Sequence, residues 1–116
     1  MREGDVILAP LPQADGQIKT RPVLLLREMP PYADLLICGI STQTHHLVTG
    51  FDELITPGDE DYSSSSLKQE SLIRLGFLGL LPRNAVFGKI GNISKSRHER
   101  LLGTLAKHLI AKQSQT

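Results

Sequence analysis

The 116-residue chain has one cysteine, no tryptophan and an aromatic content of 4%. A lone thiol excludes a disulfide framework, and Cys38 stands inside the apolar run Ile37-Cys38-Gly39-Ile40, which reads as a buried thiol. So few aromatic rings argue against a platform for stacking single-stranded bases. No run approaches the roughly 18 apolar residues needed to span a bilayer, so no membrane association is expected. The opening Met1-Arg2-Glu3-Gly4-Asp5 lacks the apolar stretch of a secretory signal and leads straight into a strand pattern. The cytoplasm is then the default location. A formal net charge of +1 gives no global attraction to nucleic acid, so any phosphate-binding surface must come from local clustering.

Catalytic signatures are equally scarce. HExxH, P-loop and GxGxxG patterns are absent, and Gly4, Gly16 and Gly39 read as punctuation rather than as a phosphate cradle. No elbow motif surrounds any Ser, which leaves a Ser-His-Asp triad unsupported. His45 and His46 are adjacent, so on an extended chain they face opposite sides and cannot share one ion. His98 and His108 lie ten residues apart. Neither a metal nor a cofactor is expected.

What is present is a series of short β-type runs followed by one helical pattern. At this length, with 40% hydrophobic and 22% charged residues, one domain over residues 1–116 is expected. Val6 to Leu11 ends among Pro10 and Pro12 and suits an edge strand. Leu11 to Thr20 reads as a loop, with a tight turn at Asp15-Gly16. Pro22 to Arg27 is a second strand, apolar enough to be covered on both faces, and Met29-Pro30-Pro31 breaks it. Tyr32 to Ile40 is a third, leaving through the polar segment Ser41 to His46. Phe51 to Ile55 is a short fourth, stopped by Thr56-Pro57-Gly58.

The stretch Asp59 to Ser66 is acidic and then Ser-rich, and reads as a solvated loop with nothing to bury. Ser71 to Leu75 restarts the sheet, a further segment ends at Pro82, and Val86 to Ile90 adds a last strand. Leu101, Leu102, Leu105, Ala106, Leu109 and Ile110 then recur at helical spacing on one face. Ser96 with Glu99 matches a capping box, and Ser94 is an alternative start. Lys107, His108 and Lys112 complement the dipole, and Gln113 to Thr116 is expected to fray. Strands running into a single helix imply a small curled barrel with one packed helix.

Few groups remain for chemistry. Arg21 precedes Pro22, which biases its backbone to an extended form, and its planar fork suits a phosphodiester. Ser41 and Thr42 close the third strand with hydroxyls that can donate to a phosphate oxygen. If strands two and three pair antiparallel, Arg21 and Ser41 become neighbours in a compact anion site. Taken alone, an Arg beside a strand is more commonly a solvated charge, and Ser or Thr at a strand end more commonly a turn former.

Gly4-Asp5-Val6, Arg21-Pro22-Val23, Ile40-Ser41-Thr42-Gln43 and Lys89-Ile90-Gly91-Asn92-Ile93-Ser94, in that order, resemble the MazF/PemK family, the toxins of bacterial toxin–antitoxin pairs. They look like its first strand, its second-strand signature, its "[IV]-T-[ST]-Q" exit and its "K-I-G-x-L-S" lead into the terminal helix. The resemblance implies a mainly β fold with one C-terminal helix, an SH3-like small β-barrel of the CcdB/MazF type. It also implies a homodimer, a cognate small antitoxin, and metal-independent cleavage of single-stranded RNA by 2′-hydroxyl attack, leaving a 2′,3′-cyclic phosphate and a 5′-hydroxyl. The family's Arg matches Arg21, and its catalytic Thr matches Ser41, with Thr42 beside it. Ser for Thr keeps the hydroxyl.

On this reading Arg21 binds the scissile phosphate, and because arginine is a poor base its larger role is electrostatic. Lys19, Gln43, His45 and Arg74 are candidates for RNA contacts, and a His is an alternative general base. Many relatives carry a Glu and an "I-R-T-[IV]-D" stretch before K-I-G; here the Glu position falls on Gly76 and the Arg position on Gly79, with Arg74 close by. Those two glycines favour an alternative, a catalytically degraded binding protein acting through RNA or protein contacts. CcdB, a gyrase-targeting toxin, shares the barrel without RNA chemistry. A plain SH3-like interaction module is a third reading. Phe77, Leu78, Leu80 and Leu81 form an apolar patch suited to a two-fold interface.

Overall fold

The computed structural model describes residues 1–112; the expected fraying of Gln113 to Thr116 lies outside the described residues. Six strands, β1 (Asp5–Pro12), β2 (Ile18–Met29), β3 (Asp34–Ser41), β4 (Glu53–Ile55), β5 (Ser71–Leu81) and β6 (Gly88–Asn92), form one antiparallel sheet in the order β4-β5-β3-β2-β1-β6. A one-turn helix, α1 (Tyr62–Ser65), separates β4 from β5, and α2 (Lys95–Ile110) follows β6. The result is a curled half-barrel with one C-terminal helix, as the run of strands into a helical pattern implies.

The near-continuous apolar character of β2 and β3 is explained by burial on both faces. Val6, Leu24, Leu26, Cys38 and Ile73 point to one side and meet Leu101 and Leu105 of α2. Ile7, Ala9, Val23, Leu25, Leu35 and Ile37 point to the other, where Leu11, Leu81 and Val86 close over them. Burial of a leucine such as Leu101 contributes about 1.5–3 kcal/mol. Burial, and then the charge of Asp52, push the Cys38 thiol upward, so it is the inert core thiol that its apolar surroundings suggest.

Several expectations change. β1 is not an edge strand: β2 pairs with it along Val6–Pro12 and β6 along Asp5–Leu8. Pro10 and Pro12, which lack an N–H, fall beyond the reach of β6. The expected loop from Leu11 to Thr20 contracts to a turn, because β1 runs to Pro12 and β2 begins at Ile18. Asp15 Oδ1 accepts from Gln17 N, and Gly16 takes a φ of 83° that a side chain would resist. Helix α2 starts at Ser94 rather than Ser96, the Ser94 hydroxyl accepting from Arg97 N at 3.1 Å. Its apolar stripe is buried only at Leu101 and Leu105, while Leu109 and Ile110 are 68% and 82% exposed, since the last turn runs past the core.

The largest change concerns Asp59 to Ser66. Asp61 and Ser65 are buried, and the segment forms α1 instead of a solvated loop. Serine hydroxyls bond back onto the turn, Ser65 Oγ to Tyr62 O at 2.6 Å, and reach across it, Ser64 Oγ to Asn92 O at 2.9 Å. The turn lies so close on β6 that a Cβ at Gly91 would stand 2.4 Å from the carbonyl oxygens of Ser64 and Ser65.

Arg97, itself buried, holds this arrangement. Nε and Nη2 donate to the two oxygens of Asp61, Nη2 also to Asp59, and Nη1 to Glu53 Oε1 and Leu54 O, all at 2.8–3.1 Å. These bonds occupy all five guanidinium donors. Burial alone would lower the Arg97 pKa, but Asp61, Glu53 and Asp59 together push it upward. Burial would raise the Asp61 carboxyl; the hydrogen bonds from Arg97 and Ser94 and the Arg97 charge reverse that and hold it below its ordinary value.

Replacing Arg97 by Met strands a buried carboxylate, so Arg97→Met is expected to destabilise the fold by about 3–5 kcal/mol in urea denaturation at neutral pH. The pH dependence has a fixed sign. Because the native Asp61 pKa lies below the unfolded one, its contribution is complete above the unfolded value, about 3.9, and is lost as pH falls from there through the native value. The gap between wild type and Arg97→Met should therefore narrow in acid; a gap that stays constant there would mean that Asp61 is not the linked group.

Candidate active site

β2 and β3 are antiparallel, with Val23 opposite Gly39, and extending that register by two residues sets Arg21 opposite Ser41. On the far side of β3, Ser41 pairs with Leu72 and Gly39 with Arg74 of β5. Strand alternation then gives Arg21, Ser41 and Arg74 a common face. All three line a cavity of about 650 Å³. The turn after β1 and the Ser66–Gln69 segment after α1 contribute to its lining.

Arg21 and Ser41 are held by local bonding. Arg21 Nη2 donates to Gln13 Oε1 at 3.1 Å, and Gln13 Nε2 donates to Leu11 O at 3.2 Å, so the β1–β2 turn props the guanidinium. Ser41 Oγ accepts from Gln43 N at 3.0 Å. This is the turn-forming role that a strand-end Ser commonly has, and it leaves the hydroxyl proton free to donate elsewhere. Ser66, at the α1 C-cap, takes a φ of 60°, a left-handed conformation that ends the helix and sends Leu67 and Lys68 along the rim.

β5 carries a bulge at this point. Cys38 pairs with Leu78 and Gly39 with Arg74, leaving Leu75, Gly76 and Phe77 without partners on β3. The Leu75 amide instead donates to Asp52 Oδ1 at 3.1 Å, and the other Asp52 oxygen accepts from Val48 N at 3.0 Å. Leu75 drops into the core while Phe77 swings over Gly39, where a Cβ would stand 3.0 Å from the ring. Gly39 is thus a close-approach glycine rather than mere punctuation. Bulges re-aim side chains in this way beside functional sites.

Of the residues singled out from sequence, Arg21, Ser41, Thr42, Gln43 and Arg74 line the cavity; Lys19 and His45 do not. Lys19 sits opposite Leu11 near the hairpin tip. His45 lies in the 3-10 turn Thr44–His46, its ring 4.1 Å from that of His46. Gly76 is exposed in the bulge and Gly79 pairs with Ile37, so neither position offers a reactive group. Gln13 and Lys68 line the cavity too without having stood out in sequence, and so does Phe77, which the sequence offers only as part of an apolar interface patch. The Asp15-Gly16 turn, which folds β1 back on β2, was the one signal that Gln13 would meet Arg21.

Among the described residues, the lining carries three cations, Arg21, Lys68 and Arg74, and no Asp, Glu or His. It is suited to an anion that is also a hydrogen-bond acceptor. Among the described residues, no three His, Cys, Asp or Glu side chains are placed to hold one metal ion, and no helix is long and apolar enough to cross a membrane.

A comparison with curated proteins returned no match. A family model describing the PemK-like, MazF-like toxins of type II toxin–antitoxin systems matches residues 2–109. That match runs from ahead of β1 to the last turn of α2 and takes in every strand that lines the cavity. The chain belongs to the PemK/MazF family of type II toxins, proteins that are paired with a cognate antitoxin.

Proposed function

We propose that this protein is a homodimeric endoribonuclease that cuts single-stranded RNA without a metal ion. The observation that carries the reading is the cavity itself: three cations and no carboxylate line one pocket in a chain whose formal net charge is +1. In the proposed reaction the ribose 2′-oxygen attacks the adjacent phosphorus and the bond to the 5′-oxygen breaks. The products are a 2′,3′-cyclic phosphate and a 5′-hydroxyl. Arg21 takes the non-bridging oxygens as negative charge grows on them, Ser41 donates its free proton to the same oxygens, and Arg74 adds a second positive charge. The lining offers no group that titrates near neutrality, so the 2′-hydroxyl proton leaves to water and the 5′-oxygen takes one from water.

A second reading, a toxin-family protein that binds without cutting, is favoured by Gly76 and Gly79, which leave that stretch of β5 without acid–base groups. End-group analysis of RNA incubated with the protein separates the two. Fragments with cyclic-phosphate and 5′-hydroxyl ends support cleavage; tight binding with intact RNA supports the second reading.

The dimer is supported by Leu78 and Leu80 on β5 and by Phe87, which are 42%, 58% and 66% exposed. Leu81 does not join this surface, since it is packed on the core. Light scattering at micromolar concentration is expected to give twice the chain mass, and a clean monomer would remove the two-fold interface.

Arg21→Ala should lower cleavage about a hundredfold and abolish growth arrest on expression, as loss of a charge-assisted contact to a developing oxyanion does. Ser41→Ala should cost about tenfold and Ser41→Thr little; damage confined to Thr42→Ala would move the hydroxyl role by one residue. Cleavage should proceed at the same rate in EDTA. Loss of activity on chelation, restored by Mg²⁺ or Mn²⁺, would overturn the electrostatic mechanism.

A further inference from the structure

We infer that Phe77 is a stacking surface for a nucleobase in the cavity, an assignment that rests on the ribonuclease reading. Phe77 is the only aromatic side chain among the lining residues, and it is 39% exposed. Its inner side is backed by β3: a Cβ at Gly39 would stand 3.0 Å from ring Cδ1 and 3.2 Å from Cγ. The rest of the ring is partly exposed, at the lining of the cavity. A ring already held from behind loses little freedom when a base settles on it, which favours binding.

The neighbouring apolar residues are arranged differently. Leu78 pairs with Cys38, whose side chain belongs to the core beneath α2, whereas Phe77 lies in the bulge and covers Gly39. Phe77 is thereby separated from the exposed leucines proposed for the dimer contact. The bulge is not a loose excursion, because Asp52 holds its first amide. Gly39 precedes Ser41 by two positions on β3, roughly 7 Å along the strand. A base belonging to the nucleotide whose phosphate sits at Arg21 and Ser41 reaches the ring. Every base has a π face, so this contact adds affinity and positioning rather than base choice.

The test uses short single-stranded 2′-O-methyl RNA of mixed sequence, which lacks the attacking hydroxyl, and the same pool with one abasic position introduced at each place in turn. Binding is read by fluorescence anisotropy for wild type, Phe77→Leu and Phe77→Tyr, with thermal melts to establish that the variants are folded. Phe77→Leu should bind intact strands about tenfold more weakly and Phe77→Tyr close to wild type. At the abasic position that weakens wild type most, the difference between wild type and Phe77→Leu should vanish. Equal losses on intact and abasic strands would mean a structural role and overturn the inference, as would an unaffected Phe77→Leu. An abasic scan that leaves wild-type binding unchanged overturns it without any variant. Wild-type protein that binds no strand at all overturns the ribonuclease reading instead.

Discussion

Arg97 is the constraint from which the site's geometry follows. A buried guanidinium is tolerable only when every donor is used, and satisfying five donors requires the N-terminal turn of α2, the end of β4 and the Asp59–Asp61 segment to converge on one point. Once Asp61 is fixed, α1 has one place to go, flush against Gly91. The left-handed Ser66 then directs the following residues along the cavity. One wall of the candidate active site is thus set by an ion-pair network whose members, Arg97, Asp61, Asp59 and Glu53, are not in the cavity lining.

A second buried carboxylate shapes the floor in the same manner. Three β5 residues without ladder partners would leave an amide buried and unpaired, a cost of about 1–3 kcal/mol. Asp52 takes the Leu75 amide and with its other oxygen anchors Val48. The bulge is therefore a defined conformation, and it separates two stretches of one strand: Arg74 before it faces the cavity with Gly39, and Leu78 after it returns to the regular alternation. Both devices use a carboxylate to satisfy groups that the sheet cannot.

The parts of this structure legible in sequence are those governed by local periodicity. The apolar runs of β2 and β3, the breaks at Met29-Pro30-Pro31 and Pro82, and the helical stripe through Leu101 and Leu105 needed no distant partner to be recognised. Arg21 and Ser41 were legible as neighbours because antiparallel pairing follows from strand order. Asp59 to Ser66 misled because its composition is that of a solvated loop, and its stabilising partner is 36 residues away at Arg97. Phe77 looked like one more member of an apolar patch because the bulge that turns it depends on Asp52, 23 residues upstream. His45 and Lys19 have the chemistry of RNA contacts, but their place on the chain puts both outside the lining.

A net charge of +1 suggests a protein indifferent to polyanions, yet the average conceals a separation. Six of the twelve acidic side chains are committed elsewhere: Asp61, Asp59 and Glu53 to Arg97, Glu53 also to Arg100, Asp5 to Lys89, Glu3 to Arg27 and Glu28 to Arg83. Among the described residues, Arg21, Lys68 and Arg74 take part in none of these ion pairs. With a screening length of about 8 Å at physiological ionic strength, the local potential depends on the nearest charges, and the described residues that line the cavity include three cations and no carboxylate. Pairing these acids with cations outside the lining leaves a nearly uncharged chain with three cations, free of those ion pairs, around one cavity.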